Sequence, residues 1–366
     1  MRNIYKPFIF RSIHMAESIY AIEVDKINKE EWYDILQTFS DASLYQTWAY
    51  GAVRWGEKNL SHAIVKCGNK IVAMAQLTIM KLPLLNIGIA YLSQGPVWHL
   101  RNNETSPEIL HKTLQLIKKE YCEKRGLFLR ILPNEEDDET KFFHKLYESE
   151  GFKLSDKKPY RTLIIDLSKS TEELRKGLDK KWRNRLTSSE KKGIRVVSGT
   201  SNDLFEKALA TYHEMHQRKK FMAITDVDEF REIQKDLPDS LKMQIFIGIY
   251  GGALAYGCVY AAIGDGGLWL LGGTTKEGME INVSYLVQWK VLEWLKQKGY
   301  CFADLGGINS ELNPGVFHFK QDFAGKNGKE IYHIGEYEAC NSALVSILLK
   351  FADSLRKGYR FITRAI

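Results

Sequence analysis

Apolar residues along this chain switch repeatedly between helical and strand spacing, and each switch predicts a change of element. Residues 30–56 carry the helical spacing. His62–Val65 and Ile71–Ile79 then read as strands on either side of a Gly68-Asn69 turn. Ala90–Val97 is a further strand, and Pro107–Arg125 an amphipathic helix with Leu110, Leu114 and Ile117 on one face. Leu127–Leu132 is a strand ending at Pro133, Lys141–Gly151 a helix closed by glycine, and Arg161–Asp166 another strand.

The second half follows the same rhythm. Thr171–Lys192 reads as one helix, opened by Ser170 or Thr171 with Glu173 nearby. Leu174, Leu178, Trp182 and Leu186 make its buried stripe. Ile194–Ser198 is a strand, and Asn202–Phe221 and Val227–Leu237 are helices. Met243–Tyr250, Ala253–Ile263 and Gly267–Gly272 form a meander, then Val283–Lys298 is a helix and Tyr300–Leu305 a strand. No repeat of 20–50 residues is visible, yet helices around an antiparallel meander, played twice, predict two α+β domains and a cryptic duplication. A chain of 366 residues has room for both. The expected divisions are residues 1–18, 19–167, 168–340 and 341–366, with Leu167-Ser168-Lys169-Ser170 as the boundary between the domains. Met15, followed by Ala-Glu-Ser, reads as a start of translation, which would make the residues before it an extension.

Asp304–Phe323 is the most informative stretch: D-L-G-G-I-N-S-E-L-N-P-G-V-F-H-F-K-Q-D-F. A buried-strand pattern runs into Gly306-Gly307, where the backbone can take positive φ or admit a close neighbour. Asn313-Pro314-Gly315 reads as a turn. Lys320 then sits among Phe317, Phe319 and Phe323, which predicts a buried stem and an ammonium held in one place. The plainer alternative is a lysine running past an apolar edge.

This segment resembles the Fem-type aminoacyltransferases, which add amino acids from aminoacyl-tRNA to the peptide of peptidoglycan precursors. The resemblance covers nearly all of residues 20–337. It includes Gln46-x-Trp48-x-Tyr50-x-x-x-Arg54 and Tyr91-x-Ser93-x-Gly95-Pro96-Val97. It implies two tandem domains of the GNAT acyltransferase fold, α+β with mixed central sheets flanked by helices. The shorter form, without a long helical hairpin, is the one this chain looks like. In that family the lysine of the D-x-G-G…F-K segment is taken to stabilise the oxyanion of acyl transfer, a role that falls here on Lys320. The resemblance further implies that Arg54 holds the diphosphate of the acceptor and that Arg218 is a second acceptor-binding arginine. Trp48, Tyr50, Ser93 and Phe319 are then expected to contact substrate. One position departs from the pattern: Leu132 stands where relatives commonly have an aspartate, so an essential carboxylate base there would be missing. His99 and Glu135 are the substitutes to consider.

Composition changes the picture only a little. No apolar run approaches the roughly 20 residues needed to span a bilayer, and residues 1–14 make a poor signal peptide. A cytoplasmic protein is expected. Five cysteines in no C-x-x-C spacing and nine histidines in no H-E-x-x-H spacing suggest neither a disulfide framework nor a metal site. The net charge of +7 permits an anionic partner without requiring one. Its densest part is the predicted helix 175–192, with Lys180, Lys181, Arg183 and Arg185. That run is either a solvated face or a contact for the tRNA acceptor stem. Residues 341–366 join an apolar stripe to Lys350, Arg356, Lys357, Arg360 and Arg364. They are read either as a helix docked on the second domain or as a basic amphipathic helix on anionic lipid. Arg54 likewise has a plain alternative, a surface pair with Glu57.

Three functions compete. Aminoacyl transfer from tRNA to a UDP-linked muropeptide or lipid-linked precursor needs no cofactor and is the preferred expectation. Acyl transfer from acyl-CoA to an amino sugar is the alternative. It would need successive backbone N–H groups at a helix start to hold the pyrophosphate. Gly272–Glu280 is glycine-rich but lacks R/Q-x-x-G-x-G/A and carries Glu277 and Glu280. A non-catalytic binding protein is the third, and the intact Lys320 segment speaks against it.

Overall fold

The computed structural model describes residues 20–81, 87–101, 105–219 and 226–341. The predicted extension 1–18 and, from residue 342 on, the predicted C-terminal helix lie outside these residues. The first half contains β1 (Tyr20–Val24), α1 (Lys29–Leu36), α2 (Trp48–Trp55), β2 (Leu60–Cys67), β3 (Lys70–Lys81) and β4 (Gly88–Ser93). It continues with α3 (Pro107–Lys118), β5 (Phe128–Leu132), α4 (Phe142–Ser149), β6 (Lys153–Leu154) and β7 (Arg161–Asp166). The second half contains α5 (Thr171–Gly177), α6 (Lys180–Glu190), β8 (Arg195–Gly199), α7 (Asn202–Lys219) and α8 (Glu229–Asp236). Next come β9 (Gln244–Tyr250), β10 (Ala253–Ile263), β11 (Gly266–Thr274), α9 (Lys276–Glu280) and α10 (Val283–Gln297). Last are β12 (Phe302–Gly307), α11 (Pro314–Ala324), β13 (Gly328–Tyr332) and β14 (Tyr337–Ala339).

These strands build two seven-stranded sheets with one topology. The first runs β1-β2-β3-β4-β5-β14-β6 and the second, from its opposite edge, β8-β9-β10-β11-β12-β7-β13. The duplication suspected from the sequence is thus visible in strand order. The strand between the fifth and the last of each sheet comes from elsewhere in the chain. β7 follows the first repeat but joins the second sheet, and β14 follows the second repeat but joins the first. This corrects the expected boundary at residue 167. One compact unit comprises Ser40–Arg54 and Tyr160–Tyr332, and the other residues 20–39, Trp55–Pro159 and 333–341. Local pattern predicts that Arg161–Asp166 is a strand; only long-range pairing decides to which sheet it belongs.

Each sheet carries its own core. Leu110, Leu114 and Ile117 of α3, as predicted, pack with Trp98, Leu129 and Tyr147 in the first. Trp182 and Leu186 of α6 meet Val287, Leu295 and Phe323 in the second. Full burial of such aliphatic or phenyl side chains contributes roughly 1.5–3 kcal/mol each.

Three local expectations change. Residues 30–56 split into α1 and α2, because Leu44–Gln46 is a 3-10 turn between them. Thr171–Lys192 breaks into α5 and α6. Asp179 accepts from Lys181 N at 2.7 Å and so starts a new helix. A Cβ on Gly177 would lie 2.2 Å from the buried Asn327 side chain, so the chain comes too close there for any larger residue. All four stripe residues stay buried despite the break. Asn313-Pro314-Gly315 is the start of α11 and not a loop turn: Asn313 caps Val316 N at 3.3 Å, and Pro314 occupies the first turn, where its missing N–H costs nothing.

Candidate active site

In the second sheet β11 and β12 run parallel but pair only at Gly266–Phe302, Gly267–Ala303 and Leu268–Asp304. Both strands continue beyond that point without pairing to each other. Gly306 and Gly307, expected to follow the strand, are its last residues. Gly306 has φ +73°, and a Cβ there would lie 2.7 Å from the Trp269 carbonyl oxygen. Glycine is required for both reasons.

Lys320 reaches this point from α11. It is 8% exposed. Its Nζ donates to Gly307 O at 2.9 Å and to Gly306 O at 3.3 Å, and lies 5.2 Å from the centre of the Trp269 ring. The cation therefore faces two carbonyl dipoles and an aromatic face. Burial pushes its pKa down to about 8, against the attraction of Asp304. The buried Asp304 accepts from Gly306 N at 2.8 Å and from the Thr162 hydroxyl of β7. Burial raises its pKa, while Thr162, Gly306 and the Lys320 charge oppose that rise. Tyr160 stands beside Gly307, and its hydroxyl is held protonated by burial and then by Asp304 and Tyr45.

The predicted aromatic frame is present in altered form. Phe323 stacks on Trp182 at 4.5 Å, and Phe319 touches Trp182, Trp269 and Tyr285. Phe317 meets the Arg161 guanidinium instead. The ring over which the ammonium sits is Trp269. That residue, Asp304, Thr162 and Tyr160 are the site residues the sequence pattern does not single out. The only local hint is that Asp304 opens the D-L-G-G motif.

The other expected residues fall into separate groups. Tyr50 and Arg54 lie one turn apart on α2. Trp48, roughly 200° around the axis from Tyr50, does not share that face. Arg54 pairs with Glu229 of α8. Tyr50 packs edge-on against Tyr45 at 5.0 Å, and Tyr45 acts on Tyr160, so this segment belongs to the unit of Lys320. Arg218, in the last turn of α7, donates to Thr274 O at 2.6 Å, the last carbonyl of β11. Lys180, Lys181 and Arg185 lie exposed on α6. Arg185 donates to the Tyr285 hydroxyl and lies over its ring, whereas Arg183 turns back to Lys176 O at 3.0 Å. Ser93, at the end of β4, bonds Tyr91 in the first-sheet unit. Leu132, opposite Ser93 in the ladder, belongs to the same unit. So does Glu135, whose carboxylate accepts from Trp98 Nε1 at 3.0 Å. His99 packs against Trp98 there.

The glycine-rich segment considered for a pyrophosphate proves to be strand and helix. Gly272 and Gly273 lie in β11, and a Cβ on Gly273 would meet the α7 backbone at Thr211 and Tyr212 at 2.4 Å. Thr275 caps the five-residue α9 through Gly278 N at 3.0 Å. Two surface hollows, of about 310 and 430 Å³, lie away from Lys320. Among the described residues no cluster of three or more His, Cys, Asp or Glu could hold a metal ion, and no helix is long and apolar enough to cross a membrane.

A scan of protein-family models and a search of curated proteins give no match. Among solved structures, FemX is 17% identical, with 86% of this chain and 96% of that one covered, at a TM-score of 0.72. A conserved protein of unknown function from Bacteroides thetaiotaomicron is 12% identical, with 87% and 99% covered, at 0.57. L-PGS from Bacillus licheniformis is 14% identical, with 88% and 95% covered, at 0.51. Two sheets of one topology, flanked by helices and aligned along FemX over most of both chains, give this protein the Fem-type fold, an α+β architecture of two GNAT-like domains.

Proposed function

We propose that the protein is an acyltransferase of the aminoacyl kind, moving an amino acid from aminoacyl-tRNA to an amine of a peptidoglycan precursor. The observation that carries this reading is the ammonium of Lys320, buried where the β11–β12 ladder opens, with two of its N–H groups on Gly306 and Gly307 carbonyls. A third N–H remains for a developing oxyanion. In the reaction the neutral acceptor amine attacks the ester carbonyl of the donor. The C–N bond forms, the oxyanion meets Lys320, the C–O bond to the tRNA ribose breaks, and the proton lost by the amine reaches the departing ribose oxygen through solvent or substrate. A fixed cation in a dry site stabilises that charge far better than water does. No cofactor enters this scheme. The filled space at Gly273 and the self-capped α9 weigh against CoA.

Around this centre, Phe319, Tyr50 and Arg54 are the acceptor contacts on the same unit, with Arg54 released from Glu229 to bind a diphosphate bidentately. Arg218 and Trp48 stay as secondary contacts, and Ser93 is an expected substrate contact of the other unit. Lys180, Lys181 and Arg185 provide a phosphate-backbone contact for tRNA, with Arg183 tied to the carbonyls that end α5. An aminoacyl-tRNA donor places the reaction in the cytoplasm. A lipid-linked acceptor would bring the protein to the inner membrane face, where residues 341–366 are the expected contact.

The test is transfer of radiolabelled amino acids from a charged total-tRNA pool to UDP-linked muropeptide and to lipid-linked precursor, comparing wild type with Lys320→Met. The variant should lose about 10²–10³-fold in kcat with KM little changed. Wild-type kcat should fall as pH rises above about 8, where Lys320 loses its proton. Absence of any amino acid transfer, together with release of CoA from acyl-CoA and an amino sugar, would sink the tRNA reading.

A further inference from the structure

A lysine buried against a strand end is useful for transfer only if it stays charged and stays aimed. Neither property comes from α11 itself, because the groups that hold Lys320 sit on β12 and on β7. We infer that Asp304 and Thr162 are a positioning pair for Lys320, tying down the Gly306–Gly307 backbone whose carbonyls hold the ammonium. The inference rests on the transferase reading of this site and adds the residues that set its geometry and charge.

The geometry is as follows. Asp304 occupies the last paired position of the β11–β12 ladder, and its carboxylate takes the Gly306 N–H at 2.8 Å. That bond spans the irregularity between Asp304 and Gly307 in the pairing with β7. It therefore fixes the positive φ of Gly306 and the direction of the next two carbonyls. Thr162, fully buried, lies opposite Gly307 in that pairing; its hydroxyl donates to Asp304 and stands 3.0 Å from Gly306 O. Thr162 arrives on the strand exchanged from the first half of the chain, 142 residues before Asp304. The bonds thus run from Thr162 to Asp304, from Asp304 to Gly306, and from the two glycine carbonyls to Lys320 Nζ.

Charge points the same way. Asp304 is the charged group that acts on Lys320 among the described residues, and it favours the ammonium against burial. From the neighbouring elements, the Tyr160 and Tyr260 hydroxyls also face this carboxylate, and burial keeps both protonated. From β11 the lysine meets the Trp269 ring, which carries no ionisable group. A carboxylate with a merely structural role would leave the titration of Lys320 untouched.

The experiment measures Lys320 directly. The full chain is modified with trace acetic anhydride across a pH series, and the Lys320 peptide, identified with the Lys320→Met control, gives the titration midpoint. Wild type should titrate near 8. Asp304→Asn should lower that midpoint by about one unit or more, since an opposite charge at this range is lost. The alkaline limb of kcat should move down with it. Thr162→Val should shift both in the same direction by less, and Thr162→Ser, which keeps the hydroxyl, should match wild type. If Asp304→Asn does not fold, the two Thr162 variants carry the test. A midpoint unmoved in folded Asp304→Asn, or Thr162→Ser behaving like Thr162→Val, overturns the pair. Shifted midpoints in a protein that transfers no amino acid would leave the pair standing and remove the transferase reading instead.

Discussion

The two sheets share a strand order yet treat their central parallel pair in opposite ways. In the first, β4 and β5 pair over five positions, through to the ends of both strands at Ser93–Leu132. In the second, β11 and β12 separate after the third position. That third position is charged in both, and with opposite sign. Arg130 occupies it in the first sheet and is paired with Glu338 at 2.8 Å and Glu336 at 3.2 Å, both brought by the exchanged strand or the residue before it. Asp304 occupies it in the second, and its counter-charge is Lys320 from a helix. The connections after the two strands differ likewise. After β5, Glu135 is buried and bonded to Trp98, and Ile334 N donates to Glu135 O at 3.1 Å. After β12, Leu312 is 75% exposed in a loop turned by its own Asn309. One repeat has spent its central charge on closing the sheet. The other keeps an open strand end with a cation beside it. Duplication supplies two copies of a frame, and a few side chains decide which copy presents chemistry.

The comparison is broken most severely by removing the exchanged strand. A chain ending at residue 335 lacks β14 and with it the buried Tyr337, which stacks on Tyr147 at 4.6 Å, and the carboxylates that neutralise Arg130. It should show no cooperative unfolding transition for the first sheet by hydrogen exchange, whereas a chain ending at residue 341 should retain it. Next in size, Arg130→Met removes the cation that bridges Glu336 and the partly buried Glu338; Glu336 keeps Lys157 at 2.7 Å, whereas Glu338 loses this partner. The substitution should destabilise by about 3–5 kcal/mol in urea titration, while the Lys320 titration midpoint stays in place because that site belongs to the other unit. The last contrast concerns the connections. Glu135→Gln weakens a charged hydrogen bond to the Trp98 indole and should cost about 1–2 kcal/mol. Leu312→Ser should stay within about 0.5 kcal/mol of wild type. Equal costs at the two positions would mean that the second connection is as firmly packed as the first.

What could be read from the sequence follows the range of the forces involved. Amphipathic spacing located α3, α7 and α10, and turn residues located the β2–β3 and β9–β10 hairpins, because these signals act within a few residues. Lys320 was legible for the same reason, being framed by aromatics and preceded by a double glycine in one local stretch. Trp269, Thr162 and Asp304 were not, since their meeting with Lys320 depends on pairings across sheets. Glycine was ambiguous in the same way. Gly272-Gly273 resembled a phosphate-binding loop, yet Gly273 is small because α7 crosses β11 at its level, and Gly272 because the Tyr256 and Trp269 side chains fill the space beside it. The break of the helix at Asp179 was masked by a stripe whose period survives it. The strand exchange left no local trace, because β7 and β14 carry the alternation any strand would.

The exchange also sets an order of events at the ribosome. Arg130 and Glu338 are 208 residues apart in the chain, so the first sheet must wait, with a gap between β5 and β6, while the whole second repeat is synthesised. Over the same interval β7 is held for a sheet that does not yet exist. Vectorial synthesis normally lets an N-terminal domain finish first. Here the second sheet closes only once β13 has emerged and the first only once β14 has, and the nascent protein carries open strand edges until then.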